Sequence, residues 1–294
     1  MIASVAVAAV ILGVTALGAA PVPAIPATPA PLASPSASPP APDPCGGPGR
    51  LLATADRPTI GFSTCAVEAG TAVFELGYQN QVTGTSAAGS IQSQAPQSFA
   101  RFGIARRFEL DVIGPNYERT RTYAVGSPDS VTNGVTDSGL GFKYALPPGE
   151  RWGVAFDGLY TAPNGSTFLT AGNATLTGTV DAAFSLSPST SVGTTVAVTS
   201  TGGYAADGSH ARYGATVPSV VFTTQIPNFY QFYAEYVFVS KLAPDIGGRA
   251  FTDFGVQKLL GSRTEVDVEY GHAFTGARAL KFDYIGAGVV IQLR

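Results

Sequence analysis

Charge is scarce in this 294-residue chain. Asp, Glu, Lys and Arg together make up 13% of it, against 45% hydrophobic residues. Soluble domains usually carry about a quarter charged residues. Two cysteines and two histidines exclude a disulfide-dense scaffold and leave little for thiolate or imidazole metal sites. With a net charge of −3 and no basic patch, nothing points to nucleic acid. No Gly-rich loop leads from a strand into a helix to cradle phosphate. No cofactor motif is present. Beyond the N-terminus there is no apolar run long enough for a membrane helix.

What is there begins with a run of apolar and small residues, 2–20, ahead of the first charge at Asp43. The small residues Gly18, Ala19 and Ala20 suit a secretory signal over 1–20, although no Lys or Arg precedes the apolar core. Pro21 disfavours cleavage directly after Ala20, so cleavage falls between 18 and 27. An uncleaved anchor helix is the rival reading. Residues 21–44 are Pro, Ala and Ser with almost nothing else, which reads as a disordered, extended linker. Cys45 and Cys65 follow as an isolated pair. In an exported chain they are most simply a disulfide closing a periplasmic segment, 45–69. That segment is Gly/Pro-rich, with room for one helical turn around Leu51 to Ala55.

From residue 70 onward the dominant period is two. In 97–114, two strands meet at a tight turn; Phe108, Leu110 and Val112 alternate with Glu109 and Asp111. The same alternation sets Phe74, Leu76 and Tyr78 against Glu75, and Leu140, Phe142 and Tyr144 against Lys143. It sets Trp152, Val154 and Phe156 against Asp157, and Val180 and Phe184 against Asp181. Further on it sets Tyr230, Phe232 and Tyr236 against Glu235, and Val266, Val268 and Tyr270 against Glu265, Asp267 and Glu269. About twelve such segments parse, near 71–81, 97–105, 107–114, 139–146, 151–161, 174–186, 191–200, 213–224, 229–239, 251–259, 264–274 and 281–293. Connections after even-numbered strands are short, while most of the others are long and polar; the longest is 115–137. An even number of strands of about ten residues, with loop lengths alternating in this way, describes a transmembrane antiparallel up-and-down β-barrel over 70–294. Aromatics near strand ends (Phe108, Tyr144, Trp152 and Tyr230 at one end, Tyr160 and Phe274 at the other) fit interfacial girdles.

The run P-Q-S-F-A-R-F-G-I-A-R-R-F-E-L-D-V, 96–112, followed by D-S-G-L-G-F-K-Y-A-L, 137–146, resembles outer-membrane barrels assigned to the phenol-degradation meta-pathway transporter family. Arg101, Gly103, Arg107, Glu109, Gly139, Gly141, Lys143 and Tyr144 stand at the positions of that family's hairpin and Gly-rich strand. The resemblance covers about 70 to the C-terminus. It implies passive outer-membrane transport of a small solute, apolar or aromatic. The last segment, G-V-V-I-Q-L-R, is similar to the terminal strand that barrel-insertion machinery reads, with Leu293 where an aromatic usually stands and Arg294 as an extra residue.

With apolar faces toward outer-membrane lipid, the lumen receives Glu75, Arg101, Glu109, Asp111, Lys143, Asp157, Asp181, Glu235, Asp253, Glu265, Asp267 and Glu269. The set is mainly acidic. It either favours cations in an open pore or forms a charge network that stiffens a filled one. The segment 115–137 and the disulfide segment are the candidate constrictions. Two other readings compete. A structural barrel would anchor the Pro-rich linker. A lipid hydrolase would need His272 or His210, but neither lies in a Ser-His pattern or a G-x-S-x-G elbow, so no catalytic residue is assigned. Acidic residues near Asp129 and Asp137 lack calcium-loop spacing. No residue pattern assigns an oligomeric state.

Overall fold

The computed structural model describes residue 45 and residues 49–205, 207–276 and 280–293. The signal, the linker and Arg294 lie outside the described residues. The first described element is a single helical turn, α1 (Arg50–Thr54), where the sequence leaves room for one.

Fifteen strand segments follow: β1 (Ala72–Gly84), β2 (Ala88–Ala95), β3 (Phe99–Ala105), β4 (Phe108–Ile113), β5 (Tyr117–Ala124), β6 (Ser127–Val135), β7 (Ser138–Ala145), β8 (Trp152–Ala162), β9 (Thr175–Ser187), β10 (Thr190–Tyr204), β11 (His210–Ile226), β12 (Tyr230–Ala243), β13 (Ile246–Leu260), β14 (Thr264–Ala273) and β15 (Phe282–Leu293). All pairings are antiparallel, and β15 closes on β1 from Ala72↔Leu293 to Thr83↔Phe282. Three consecutive pairs, β2/β3, β4/β5 and β6/β7, are lower and upper parts of one wall strand each. The lower parts pair in the order β1-β3-β4-β7, the upper parts as β1-β2-β5-β6. The wall is therefore a closed barrel of twelve strands. Closure leaves no unpaired edge along its seam, the condition for strands to sit in hydrocarbon.

The interruptions fall at one level on three neighbouring strands: 96–98, 114–116 and 136–137. Pro96 has no N–H to donate. Side chains and displaced backbone groups take over the ladder: Ser98 N–H donates to Asn116 Oδ1 at 3.0 Å, and Asn116 N–H to Thr136 Oγ1 at 3.0 Å.

The segment expected as the longest loop, 115–137, is largely paired. β5 and β6 form a hairpin that carries the wall upward and does not fold into the lumen, so it is not a constriction. Alternating loop lengths also hold only in part. β10 to β13 run 14 to 17 residues, and the connections of β1–β2, β5–β6 and β12–β13 are tight turns. The rim near the chain's last strand residue, with turns such as 188–189 and 261–263, is called the short-turn rim below.

Outward positions are apolar and exposed: Leu140, Val180, Val198, Phe222, Phe254 and Val268 among them. Inward positions are buried and polar, so the barrel is inverted relative to a water-soluble fold. Trp152, Tyr144 and Tyr230 are exposed near the short-turn rim, and Tyr160 and Phe274 near the opposite one, at the girdle positions read from the sequence.

Candidate functional site: a lumen filled by the chain's own N-terminal segment

Of the described residues ahead of β1, those from Gly49 to Val67 form a plug inside the barrel, and Glu68 to Gly70 are exposed where the chain turns into β1. The Cys45–Cys65 disulfide closes the segment. At the short-turn rim, Leu51, Leu52, Ala55 and Val67 of the plug pack on Val73, Leu259 and Val290 of the wall. Above this apolar base the contacts become ionic.

Arg101 on β3 is fully buried. Its guanidinium meets Glu75 on β1 at 3.0 Å, Glu109 on β4 at 2.8 Å and the plug's Asp56 at 3.2 Å. Lys143 on β7 holds the same Asp56 at 3.0 Å and faces Asp157 on β8 at 3.6 Å. The carboxylates then accept from plug backbone: Glu75 from the Asp56 and Arg57 N–H groups at 3.1 and 2.8 Å, and Glu109 from the Val67 N–H. Buried charge is tolerated only when paired and hydrogen-bonded; Arg101, Lys143, Glu75, Glu109 and Asp56 are both, whereas Asp157 is ion-paired and leaves one buried oxygen without a hydrogen bond.

Arg57 forms a second anchor. Its guanidinium contacts Asp267 at 3.1 Å and Glu269 at 3.4 Å on β14, and donates to Gln97 at 2.8 Å. Burial alone would lower its pKa. The Asp267 carboxylate and its hydrogen bond, with the Glu269 and Glu75 charges, outweigh that and raise it, so the plug cation stays charged. Room for the guanidinium comes from Gly77 on β1 and Gly288 on β15. These two residues are cross-strand partners, and at either one a Cβ would overlap Arg57. The plug's far side is held more lightly. Glu235 on β12 accepts the Ile60 and Gly61 N–H groups at 2.8 and 3.0 Å.

All twelve residues expected in the lumen are largely buried. Glu75, Arg101, Glu109, Lys143, Glu235, Asp267 and Glu269 come together around the plug. Asp157 joins through Lys143. Asp181 accepts from Thr195, and Asp253 from Tyr284 at 2.6 Å, both within the wall. Asp111 and Glu265 are buried beside the ion clusters. Sequence reasoning did not assign roles to Asp56 and Arg57. The available signal was that, with Arg50 and Glu68, they are the only charges between 45 and 69.

A cavity of about 240 Å3 remains between the plug and the inner face of β9, β10 and β11. It starts at the short-turn rim beside Pro188 and Ser189 and reaches up to Thr195. Nearer the other rim an apolar cluster of Val237, Phe251, Ala273, Phe282 and Tyr284 faces inward.

His272 lies on the outer face, its Nδ1 2.8 Å from Asp283 Oδ1, with the Tyr270 hydroxyl on the same oxygen. Its cross-strand neighbour on β13 is Thr252, not serine. His210 is exposed and packs on Tyr204. Asp129 pairs with Arg121, and Asp137 accepts the Gly165 and Ala171 N–H groups. Among the described residues no three His, Cys, Asp or Glu side chains come together in a geometry that holds a metal ion.

The fold is that of outer-membrane β-barrels. An outer membrane channel from Pseudomonas putida F1 superimposes with a TM-score of 0.62 at 11% identity, covering 81% of this chain and 100% of that one. The translocator domain of the autotransporter NalP from Neisseria meningitidis superimposes with a TM-score of 0.52 at 10% identity, covering 77% of this chain and 90% of that one. No protein-family model matches the sequence, and no curated protein matches it.

Proposed function

We propose that this chain is a channel of the bacterial outer membrane through which small solutes pass passively, with its short-turn rim and its plug on the periplasmic side. The observation that carries this reading is the cavity. A closed barrel with an apolar exterior encloses a segment of its own chain, and that segment leaves a space of about 240 Å3 along one wall. A barrel serving purely as an anchor has no need of a cavity, lined by both hydroxyl and apolar groups, that reaches one rim. Apolar or aromatic solutes fit the family resemblance and the inward cluster of Phe251, Phe282 and Tyr284 on the entry side. Export through the signal at 1–20 and insertion by the barrel-assembly machinery complete the reading. No catalytic step is proposed, because the His272–Asp283 pair has no serine partner across its strand.

The test is single-channel recording of the purified barrel in planar bilayers. Small, stable conductance steps are expected. Folded, heat-modifiable protein that never conducts would overturn the channel and leave the anchoring role, for which the ion-paired plug is the favouring observation.

A further inference from the structure

The inner wall of the barrel is divided by charge. Its ionisable side chains sit on β1, β3, β4, β7, β8, β13 and β14, plus Asp181 and Glu235, and most are engaged with the plug or with one another. The lower inner faces of β9 to β11 carry none. Rows of cross-strand partners there read Ser185–Ser191–Thr223–Tyr233 and, one level up, Ala183–Gly193–Val221, the latter ending on Glu235 of β12, whose carboxylate is taken up by the plug. Ser191 and Thr223 hydroxyls bond each other at 2.6 Å, and at the rim the Gln225, Gln231 and Gln257 amides form a ladder at 3.1 and 2.6 Å. The cavity lies against this sector, and the one charged side chain lining it is the plug's Arg57, already paired with Asp267 and Glu269. At its inner end the plug meets the wall through Gly61, where a Cβ would come within 2.7 Å of Thr195 Oγ1 and 2.9 Å of Ser219 Oγ.

We infer that solutes cross the barrel along this sector, lined by hydroxyls and amides on the wall, and that the class admitted is small uncharged molecules bearing hydrogen-bonding groups, substituted aromatic rings included, which narrows the solutes named above and leaves out wholly apolar ones. Glu75, Glu109, Glu235, Asp267 and Glu269 act as plug anchors and do not select cations. The inference rests on the channel reading above and specifies its route. An ion entering here would lose hydration without meeting an opposite charge on the wall, whereas a neutral solute exchanges water for hydroxyls and amides. The volume sets the size. An apolar cavity of about 150 Å3 takes up benzene, so one of about 240 Å3 holds one substituted ring or a pentose.

Both native cysteines are engaged in the disulfide, so an introduced cysteine is the only thiol for a labelling reagent. Ser191→Cys and Thr223→Cys stand in the sector. Ala105→Cys stands exposed at the same rim on the opposite wall. Each full-length variant is reconstituted in liposomes, and swelling is followed with arabinose, sodium arabinonate and 1-amino-1-deoxyarabinitol hydrochloride before and after a benzyl methanethiosulfonate. Arabinose is expected to enter about tenfold or more faster than either ion, given the cost of stripping a charge of water. Labelling at Ser191→Cys and Thr223→Cys, but not at Ala105→Cys, is expected to abolish most of that entry. Complete labelling by mass with undiminished flux would overturn the route. Cation entry as fast as arabinose would overturn the solute class. Absence of any flux from the unlabelled wild type would instead overturn the channel reading itself.

Discussion

Arg101 is the residue on which most of the interior converges. It touches Glu75, Glu109 and Asp56, and its Nη1 also donates to the Thr54 carbonyl at 2.5 Å. Removing one partner of a buried ion network leaves the others uncompensated, at a cost of about 3–5 kcal/mol. Arg101→Met should therefore lower stability by that amount in urea titrations of the detergent-folded barrel. Glu235 makes the opposite case, since it holds the plug tip by two backbone N–H groups and no ion pair. Glu235→Ala should leave the barrel folded and raise single-channel conductance, because the tip loses its only charged hold on that wall. An unchanged conductance would place the resistance elsewhere. The carboxylates were legible in the sequence because each interrupts an apolar alternation. Their partners were not, because a period of two assigns a face and says nothing of what fills the space beyond it.

Elements divide in the same way. Strands within the apolar belt were readable because their faces differ, as in β12, where Phe232, Tyr236 and Phe238 are exposed and Glu235 and Val237 buried. β5 and β6 were not readable. They rise above the belt, water meets both faces, and Y-E-R-T-R-T-Y-A keeps no apolar side for the period to reveal. The plug is the other unreadable element. Its Gly/Pro-rich sequence looks like a loop, and its order comes from wall residues far along the chain, such as Asp267. A bridge between residues 20 apart contributes about 3 kcal/mol by restricting the unfolded segment. Cys45→Ser with Cys65→Ser should thus loosen the plug alone. Protease protection of 49–67 should fall and channel noise rise, while heat-modifiability of the barrel stays. Loss of the barrel itself would contradict the division between wall and plug.

For the whole molecule, polarity is inverted: the charge is inside and the apolar surface outside. Val268, outward and near the middle of β14, is 58% exposed. Val268→Arg should weaken folding into lipid vesicles by about 2–4 kcal/mol, the cost of a cation near the bilayer midplane. The same change should cost little in detergent micelles, where the long side chain reaches water. Equal cost in both would argue against a membrane-facing β14.

The Arg57 seat has a consequence for how the ring is joined. The guanidinium rests where the first and last strands meet, over Gly77 and Gly288, with Asp267 on the strand beside them. If the last strand slipped by two residues in one direction, Val290 would stand opposite Gly77 and occupy the guanidinium's place. A segment made before any strand thereby inspects the final join, and a ring closed two residues out in that direction has no place for the arginine.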